Sequence, residues 1–274
     1  MTNSTQEDFE GPAMPDNLSF LLDKAAPPKS VVDNFTWSDT DKSPNMEILA
    51  DNATCRLRYD SDDTFDAIRA NTGFSSGLHV WEIESKVNRR YDYAMIGVAT
   101  KNAPLISFCS SAVVGHTKES WGWDLQRGLW KRSLAHNWQF TDYPEGKLRH
   151  FKECSDRIKV VLDMNVGTLA FMAGDVYLGV AFTGLPCGLT LYPIMSLLDL
   201  NVDVKIRYIN SVEPGVQSLK DMCRYTVRKS IIKTESNNMR RGRKRKLGEE
   251  AATNNFDDLQ IPDTLKRYLM SNVN

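Results

Sequence analysis

Residues 157–182, "RIKVVLDMNVGTLAFMAGDVYLGVAF", decide the fold class of this chain. Three runs rich in aliphatic, aromatic and β-branched residues are separated by two short breaks, "MNVG" and "AGD". Asn and Gly in such breaks tolerate the positive φ angles that tight hairpin turns require. The stretch therefore predicts three consecutive antiparallel strands.

Similar strand-like runs lie on both sides of this stretch. They are "GLHVWEIES" (77–85), "YAMIGVAT" (93–100), "LTLYPIMSL" (189–197) and "VDVKIRYI" (202–209). Strands do not alternate with helical patterns between 31 and 210, so nothing favours a parallel sheet. Many short strands with turn signals between them predict a mainly β protein, an antiparallel β-sandwich over 31–210. Residues 1–30 are polar and contain proline, which predicts a flexible N-terminal arm.

The hydrophobic period changes from two to 3.6 after residue 210. In "SLKDMCRYTVRKSI" (218–231), Ser218 and Asp221 fit a capping box. One face of the predicted helix carries the apolar residues Leu219, Met222, Cys223, Val227 and Ile231. A basic insert at 233–255 follows, and "LQIPDTLKRYLM" (259–270) contains a proline that can begin a helix. The chain is therefore expected to end in a small α-helical unit over 211–274.

The composition argues against several classes of protein. The five cysteines are an odd number without a C-x-x-C motif, which fits a reducing compartment rather than a disulfide framework or a zinc site. The polar N-terminus does not resemble a signal peptide, and no apolar run approaches the roughly 18 residues of a membrane helix. We therefore expect a cytoplasmic or nuclear protein, or one found in both compartments.

The sequence gives little support to catalysis. "GFSSG" (73–77) matches G-x-S-x-G, but a strand follows it, whereas a nucleophile elbow needs a helix there. The four histidines have no i, i+4 pairing, and no phosphate-binding motif is found. The two tryptophans of "ESWGWDL" (119–125) are expected on one side of a packed strand. The sequence thus favours a binding module without cofactor or metal over an enzyme.

The basic run of the insert leaves three interpretations open. It is a nuclear import signal, a nucleic-acid patch or a solvated linker, and it consists of Arg240, Arg241, Arg243, Lys244, Arg245 and Lys246. Nucleic-acid binding is the less favoured of these, because no aromatic residues are interleaved to stack on bases. The net charge of −1 for the whole chain agrees with this.

Several of these stretches together resemble a known family. "GLHVWEIE", "IGVAT", "SWGWDL", "VVLDMNVGTLAFMAGDVYLGVAFTGL" and "LYPIMSL", in this order, resemble a SPRY (B30.2-like) domain. "SLKDMCRYTV" resembles the Elongin-binding box of a SOCS box, and "LQIPDTLKRYL" resembles its cullin-contacting segment, placed at 256–270. Over about 31–270 the chain is similar to the SPRY domain and SOCS-box family of GUSTAVUS-like proteins.

The resemblance implies a non-catalytic substrate adaptor of an Elongin B/C–cullin–RING ubiquitin ligase, which directs its target to ubiquitination and proteasomal degradation. The implied Elongin contacts are Leu219, Met222, Cys223 and Val227, and the implied cullin contacts are Leu259, Ile261, Pro262 and Leu265. A helix laid into a groove would be the binding mode. The alternative is a SPRY interaction scaffold without a ligase, whose last helix packs on its own sandwich.

The resemblance also implies that loops at one end of the sandwich bind a short target peptide. Aligned through "DAIR" (66–69), the expected target face consists of Arg58, Asp60, Tyr91, Ser110, Val113, Leu198 and Asp199. Several of these positions depart from the family: Asp60 replaces a proline, Ser110 a contacting tyrosine, and Asp199 a tryptophan. Lost aromatic area and added carboxylates should disfavour the family's acidic, asparagine-rich peptide and favour a neutral or basic one.

The C-terminal unit departs from the family as well. Its two segments are separated by an unusually long basic insert, and Gln260 stands where a proline is usual. These departures put the choice of cullin in doubt more than Elongin binding.

Overall fold

Two antiparallel sheets form the body of the protein, which confirms the predicted mainly β class. The computed structural model describes residues 11–58, 64–85, 94–107, 113–125, 129–134, 137–144, 156–198 and 202–214. These residues belong to the first of two units into which the chain divides, the one that ends at Pro214. The predicted helix 218–231, the basic insert 233–255 and the segment 256–270 lie outside the described residues.

The first sheet is a row of hydrogen-bonded antiparallel strands. In spatial order they are β1 (Trp37–Lys42), β4 (Phe65–Ala70), β14 (Tyr192–Leu197), β6 (Ala94–Ala99), β8 (Ser120–Asp124), β9 (Leu129–Leu134) and β10 (Asn137–Asp142). The short strand β7 (Ile106–Ser107) pairs with the start of β4. The strands "YAMIGVAT" and "LTLYPIMSL" predicted from the sequence are β6 and β14, which lie side by side.

The second sheet contains the stretch 157–182. Its spatial order is β13 (Val176–Thr183), β12 (Thr168–Ala173), β11 (Arg157–Asp163), β5 (Leu78–Ser85), β15 (Val204–Val212), β3 (Thr54–Leu57) and β2 (Met46–Ile48). The three strands β11, β12 and β13 form two successive hairpins. Gly167 and Gly174 occupy their turns at φ values of 68° and 58°, as the breaks "MNVG" and "AGD" predict. The sandwich continues to Val212, two residues past the predicted boundary at 210.

Large aromatic side chains fill the space between the sheets. Trp81, Trp123 and Phe171 are almost completely buried, and the ring of Trp123 lies 5.2 Å from that of Phe171. Trp121 and Trp123 both belong to this core, which confirms that the two tryptophans share one side of β8. The sequence "SWGWDL" is thus a packing signature.

Glycine is required where β6 and β8 approach each other. Gly97 and Gly122 are register partners. A Cβ atom on Gly97 would collide with the backbone carbonyl oxygen of Trp121, and one on Gly122 would collide with the side chain of Val114. The glycines of "IGVAT" and "SWGWDL" therefore permit a close strand contact.

The prediction of a flexible arm over 1–30 is wrong for the part that the structure describes. Two helices, α1 (Asp16–Leu22) and α2 (Lys29–Asn34), precede the first strand. Leu18 and Leu21 of α1 are 1% and 0% exposed, and they pack on a cluster that includes Val80, Val161 and Met172. These three side chains lie on the face of the second sheet that points away from the main core. Residues 1–10 lie outside the described residues.

The N-terminal segment is also tied to the end of the last strand. Lys24 Nζ donates a hydrogen bond of 2.9 Å to the carbonyl oxygen of Ser211. Asn210 Nδ2 donates one of 3.0 Å to the carbonyl oxygen of Ala25. The segment is therefore docked on the sandwich, and its polar residues face the solvent.

No helix within the described residues is long and apolar enough to cross a membrane.

Candidate functional site

The ends of several strands lie together at one end of the first sheet. Leu197, the last residue of β14, is the register partner of both Asp66 and Ala94, near the beginnings of β4 and β6. Phe65 pairs with Ser107 at the end of β7. We call this end of the sheet the loop end. The connections that precede β4 and β6 and those that follow β7 and β14 meet the sheet there. In the sequence, the residues of the expected target face fall within or next to these connections.

Three of the expected target-face residues are described, and they lie in different environments. Arg58 is exposed after the end of β3, and its backbone N–H donates a 2.9 Å hydrogen bond to the carbonyl oxygen of Asn45. Leu198 is half-buried immediately after β14, whereas Val113 is only 1% exposed. The other four residues, Asp60, Tyr91, Ser110 and Asp199, lie outside the described residues.

Val113 belongs to a small apolar cluster on the outer face of the first sheet. The cluster also contains the buried residues Phe65, Ala67, Met95, Ala99, Ala103, Val114 and Ile194, with Leu105 and Leu198 packed against it. A side chain that is 1% exposed offers almost no contact area to a peptide. Val113 thus packs within this cluster, and its expected contact with a target stays a prediction.

A buried carboxylate organises the polar part of the loop end. Asp66 is 0% exposed. Its Oδ1 accepts hydrogen bonds from Asn45 Nδ2 at 3.1 Å and from the hydroxyl of Ser43, and its Oδ2 accepts one of 3.0 Å from Thr64 Oγ1. Ser43 and Asn45 come from the turn between β1 and β2. The network thus joins that turn to the beginning of β4.

A second buried network lies towards the other end of β4. Arg69 is 3% exposed and donates two hydrogen bonds to Asp41, of 2.9 and 2.8 Å. It also donates to the carbonyl oxygens of Thr100, Lys101 and Ala103. Burial alone would raise the pKa of Asp41, but the hydrogen bonds and charges of Arg69 and Lys101 outweigh burial and lower this pKa.

His79 is buried, and its contacts are those of a residue that stabilises the fold. His79 stacks on Phe74 with ring centroids 3.9 Å apart. Its Nε2 lies 2.7 Å from the carbonyl oxygen of Ser76, and its Nδ1 lies 2.9 Å from the hydroxyl of Tyr208. A carbonyl oxygen only accepts, so Nε2 carries the proton and Nδ1 accepts from the tyrosine. Burial lowers the pKa of His79, although Ser76, Glu213 and Asp163 act in the opposite direction.

This environment predicts a pH dependence of stability. The pKa of His79 is lower in the folded chain than in the unfolded chain, where it is about 6.5. Between the two values the unfolded chain binds more protons, so stability falls as the pH decreases through this window. One proton accounts for at most about 1.4 kcal/mol per pH unit. Urea unfolding at about pH 5.5 and about pH 7.5 should show a smaller difference for His79→Gln than for wild type. Equal differences in the two proteins would show that another group carries the dependence.

The G-x-S-x-G match does not form a nucleophile elbow. Strand β5 begins at Leu78, directly after Gly77, so a strand follows the motif as the sequence indicates. Among the residues that the structure describes, no group of three or more histidine, cysteine or acidic side chains is placed to hold a metal ion. The motif is therefore the approach to β5 in the described part of the chain.

Comparison with known proteins identifies the family of this chain. Residues 78–208 match the SPRY domain family. The chain is 33% identical to Protein gustavus of Drosophila melanogaster over 270 residues, covering 97% of this chain and 88% of that protein. It is 35% identical to SPRY domain-containing SOCS box protein 1 of Homo sapiens over 262 residues, covering 93% and 87%. For SPRY domain-containing SOCS box protein 2 of Homo sapiens the identity is 35% over 257 residues, covering 93% and 90%.

The sandwich is thus a SPRY domain. The chain as a whole belongs to the family of SPRY domain-containing SOCS box proteins.

Two features of the structure, one of them in the site, have only weak signals in the sequence. The Asp66 network is made by residues 21 and 23 positions earlier in the chain, and "DAIR" shows only that a strand contains two charged residues. The docking of α1 is indicated by the apolar spacing of Leu18 and Leu21, one turn apart.

Proposed function

We propose that this protein is a non-catalytic adaptor of an Elongin B/C–cullin–RING ubiquitin ligase. In this proposal the SPRY domain binds a target protein at the loop end, and the C-terminal unit recruits the ligase. The adaptor increases the effective concentration of the target near the ubiquitin-transfer machinery, which requires no chemistry by the chain itself.

One observation carries the proposal: the similarity extends beyond the SPRY domain. The SPRY match ends at residue 208, whereas the alignments with the two human SOCS box proteins cover 93% of the chain. Those alignments must therefore include residues after the sandwich. The apolar stripe around Leu219 and Cys223 lies in this part of the sequence, and it has the spacing of one helical face.

The adaptor proposal predicts that the stripe is needed for Elongin binding. The double variant Leu219→Ala, Cys223→Phe removes one apolar side chain and enlarges another on the predicted binding face. We expect the amount of co-purified Elongin B/C to fall at least about tenfold relative to wild type, because central apolar anchors dominate such interfaces. The measurement is co-purification after co-expression of the full-length chain with Elongin B and Elongin C.

The matched control is Lys220→Ala, Arg224→Ala, which changes two residues that lie mostly off the stripe. It should co-purify like wild type. If wild type itself recovers no Elongin B/C, the adaptor proposal fails, and a SPRY scaffold without a ligase becomes the better explanation. If the control loses binding as strongly as the double variant, the predicted binding face is wrong.

We also propose that the loop end prefers a neutral or basic peptide to an acidic one. The support is the set of aspartates that the sequence adds at and near the expected face, including Asp60, Asp62, Asp92 and Asp199. Like charges across an interface are destabilising and slow the encounter of the partners.

Two labelled peptides of equal length test this preference. Gly-Asp-Asn-Asn-Asn-Gly and Gly-Lys-Asn-Asn-Asn-Gly differ only at the charged position. Fluorescence anisotropy with the full-length protein should give about tenfold tighter binding of the lysine peptide at low salt, and a smaller ratio at high salt. Tighter binding of the aspartate peptide would overturn the preference without affecting the adaptor proposal.

A further inference from the structure

The turn between β1 and β2 links a buried carboxylate to an exposed arginine of the expected target face. Asn45 takes part in both contacts: its side chain donates to Asp66 Oδ1, and its carbonyl oxygen accepts the hydrogen bond of the Arg58 backbone N–H. Asp66 and Arg58 are therefore connected through one residue. The distances are 3.1 Å for the first hydrogen bond and 2.9 Å for the second.

The turn itself is held at several points by the same network. The hydroxyl of Ser43 donates to Asp66 Oδ1 and accepts a 3.1 Å hydrogen bond from the backbone N–H of Asn45. The backbone N–H of Ser43 donates to the carbonyl oxygen of Ala67 at 2.9 Å. Both the side chain and the backbone of the turn are thus anchored to the beginning of β4. This arrangement restricts the positions that Asn45 can adopt.

The cost of burying this carboxylate indicates that its contacts matter. Asp66 is fully buried, and its three side-chain donors, Ser43, Asn45 and Thr64, are all neutral. A buried polar group is tolerated when its hydrogen bonds are satisfied, and removing its acceptors leaves the donors unpaired. Such networks fix one arrangement of the groups they join. The network around Asp66 also restrains the backbone of Arg58, because that backbone is hydrogen-bonded to the turn.

We propose that Asp66 is a positioning residue for target binding, which acts by holding the Asn45 turn and, through it, the backbone of Arg58. The inference rests on the proposed target-binding function of the loop end. Asp66 has no surface with which to contact a target. Its effect on affinity is therefore indirect: a side chain displaced by about 1 Å from its productive position loses much of its contribution.

The test compares two buried carboxyl networks at the two ends of β4. Asp66→Ala removes all three acceptor contacts at the loop end. Asp41→Ala removes the carboxylate that pairs with Arg69 towards the opposite end, and it serves as the matched control. Both variants are made in the full-length chain, and urea unfolding first establishes how much each is destabilised. Asp66→Asn replaces Asp66→Ala if the alanine variant does not fold.

Two quantities are measured on each folded variant. The first is the hydrogen-exchange rate of the Arg58 amide, relative to amides in the strand β11. The second is the anisotropy Kd of the Gly-Lys-Asn-Asn-Asn-Gly peptide. Asp66→Ala should accelerate Arg58 exchange by at least about tenfold and weaken peptide binding by about tenfold, because the bond to Asn45 becomes easier to open. Asp41→Ala should change neither the relative exchange rate of Arg58 nor the peptide Kd.

Each remaining outcome has a definite meaning. Unchanged exchange at Arg58 in the Asp66 variant overturns the inference. Faster exchange with unchanged peptide affinity also overturns it, because Asp66 would then be structural only. Equal effects of Asp41→Ala would show that general destabilisation is the cause. If wild type binds neither charged peptide, the proposed peptide preference fails, and the exchange rate of Arg58 alone decides whether Asp66 holds that residue.

Discussion

Replacing Arg69 with methionine is expected to lower the free energy of unfolding by about 3–5 kcal/mol, the range observed when one partner of a buried ion pair is removed. The guanidinium is 3% exposed and donates to Asp41 and to three backbone carbonyl oxygens. Methionine has a similar length but no donor. The variant therefore leaves a largely buried carboxylate without its main partner and several carbonyl oxygens without theirs.

Arg56→Met is the matched control for this prediction. Arg56 forms ion pairs with Glu47 at 3.4 Å and Asp203 at 3.9 Å, but its side chain is 42% exposed. Exposed pairs contribute about 0–1 kcal/mol, so this variant should unfold at nearly the wild-type urea concentration. Both measurements are made near neutral pH, where Asp41, with its lowered pKa, is ionised. Equal losses in the two variants would contradict the importance of the Arg69 network.

Replacing Leu21 with alanine is the second change with a large expected effect, a loss of about 2–5 kcal/mol in the free energy of unfolding. The side chain is 0% exposed and packs with Leu18 on the outer face of the second sheet. The variant removes three carbon atoms from a close-packed contact and leaves a cavity beneath the helix. This effect is not expected of a residue in a flexible arm.

Leu22→Ala provides the comparison within the same helix. Leu22 is only partly buried against the same cluster, so its replacement should cost less than half as much. Chemical denaturation of both variants, followed by tryptophan fluorescence, measures the difference. If the two substitutions cost the same small amount, α1 does not stabilise the sandwich, and the expectation of a flexible arm would be restored.

The strands were the most predictable part of the molecule, because their signals are local. The hairpins of 157–182 follow from apolar runs and from glycines that adopt positive φ. The shared orientation of Trp121 and Trp123 follows from the two-residue period of a strand. The N-terminal helices were missed because each is short, at 7 and 6 residues, so neither shows a helical period over several turns.

The polar networks could not be predicted from local pattern. Every residue of β4 is buried, although charged side chains such as Asp66 and Arg69 are usually exposed. Their partners include Ser43, Asn45 and Asp41, which precede them by 21 to 28 positions. Only the pairing of distant strands brings these groups together. The same long-range packing buries Val113, which the family alignment had placed among the target contacts.

The last two strands of the sandwich occupy inner positions in both sheets. Strand β14 lies between β4 and β6, and β15 lies between β5 and β3. As the chain leaves the ribosome, β4 and β6 therefore lack a neighbour until β14 has been made, and β5 and β3 lack one until residues up to 212 have been made. Pairing across such long separations is slow and leaves unpaired strand edges exposed in the meantime. We expect folding of the SPRY domain to finish only as the C-terminal unit is being synthesised, so an mRNA truncated before β15 would yield an aggregation-prone product rather than a smaller binding module.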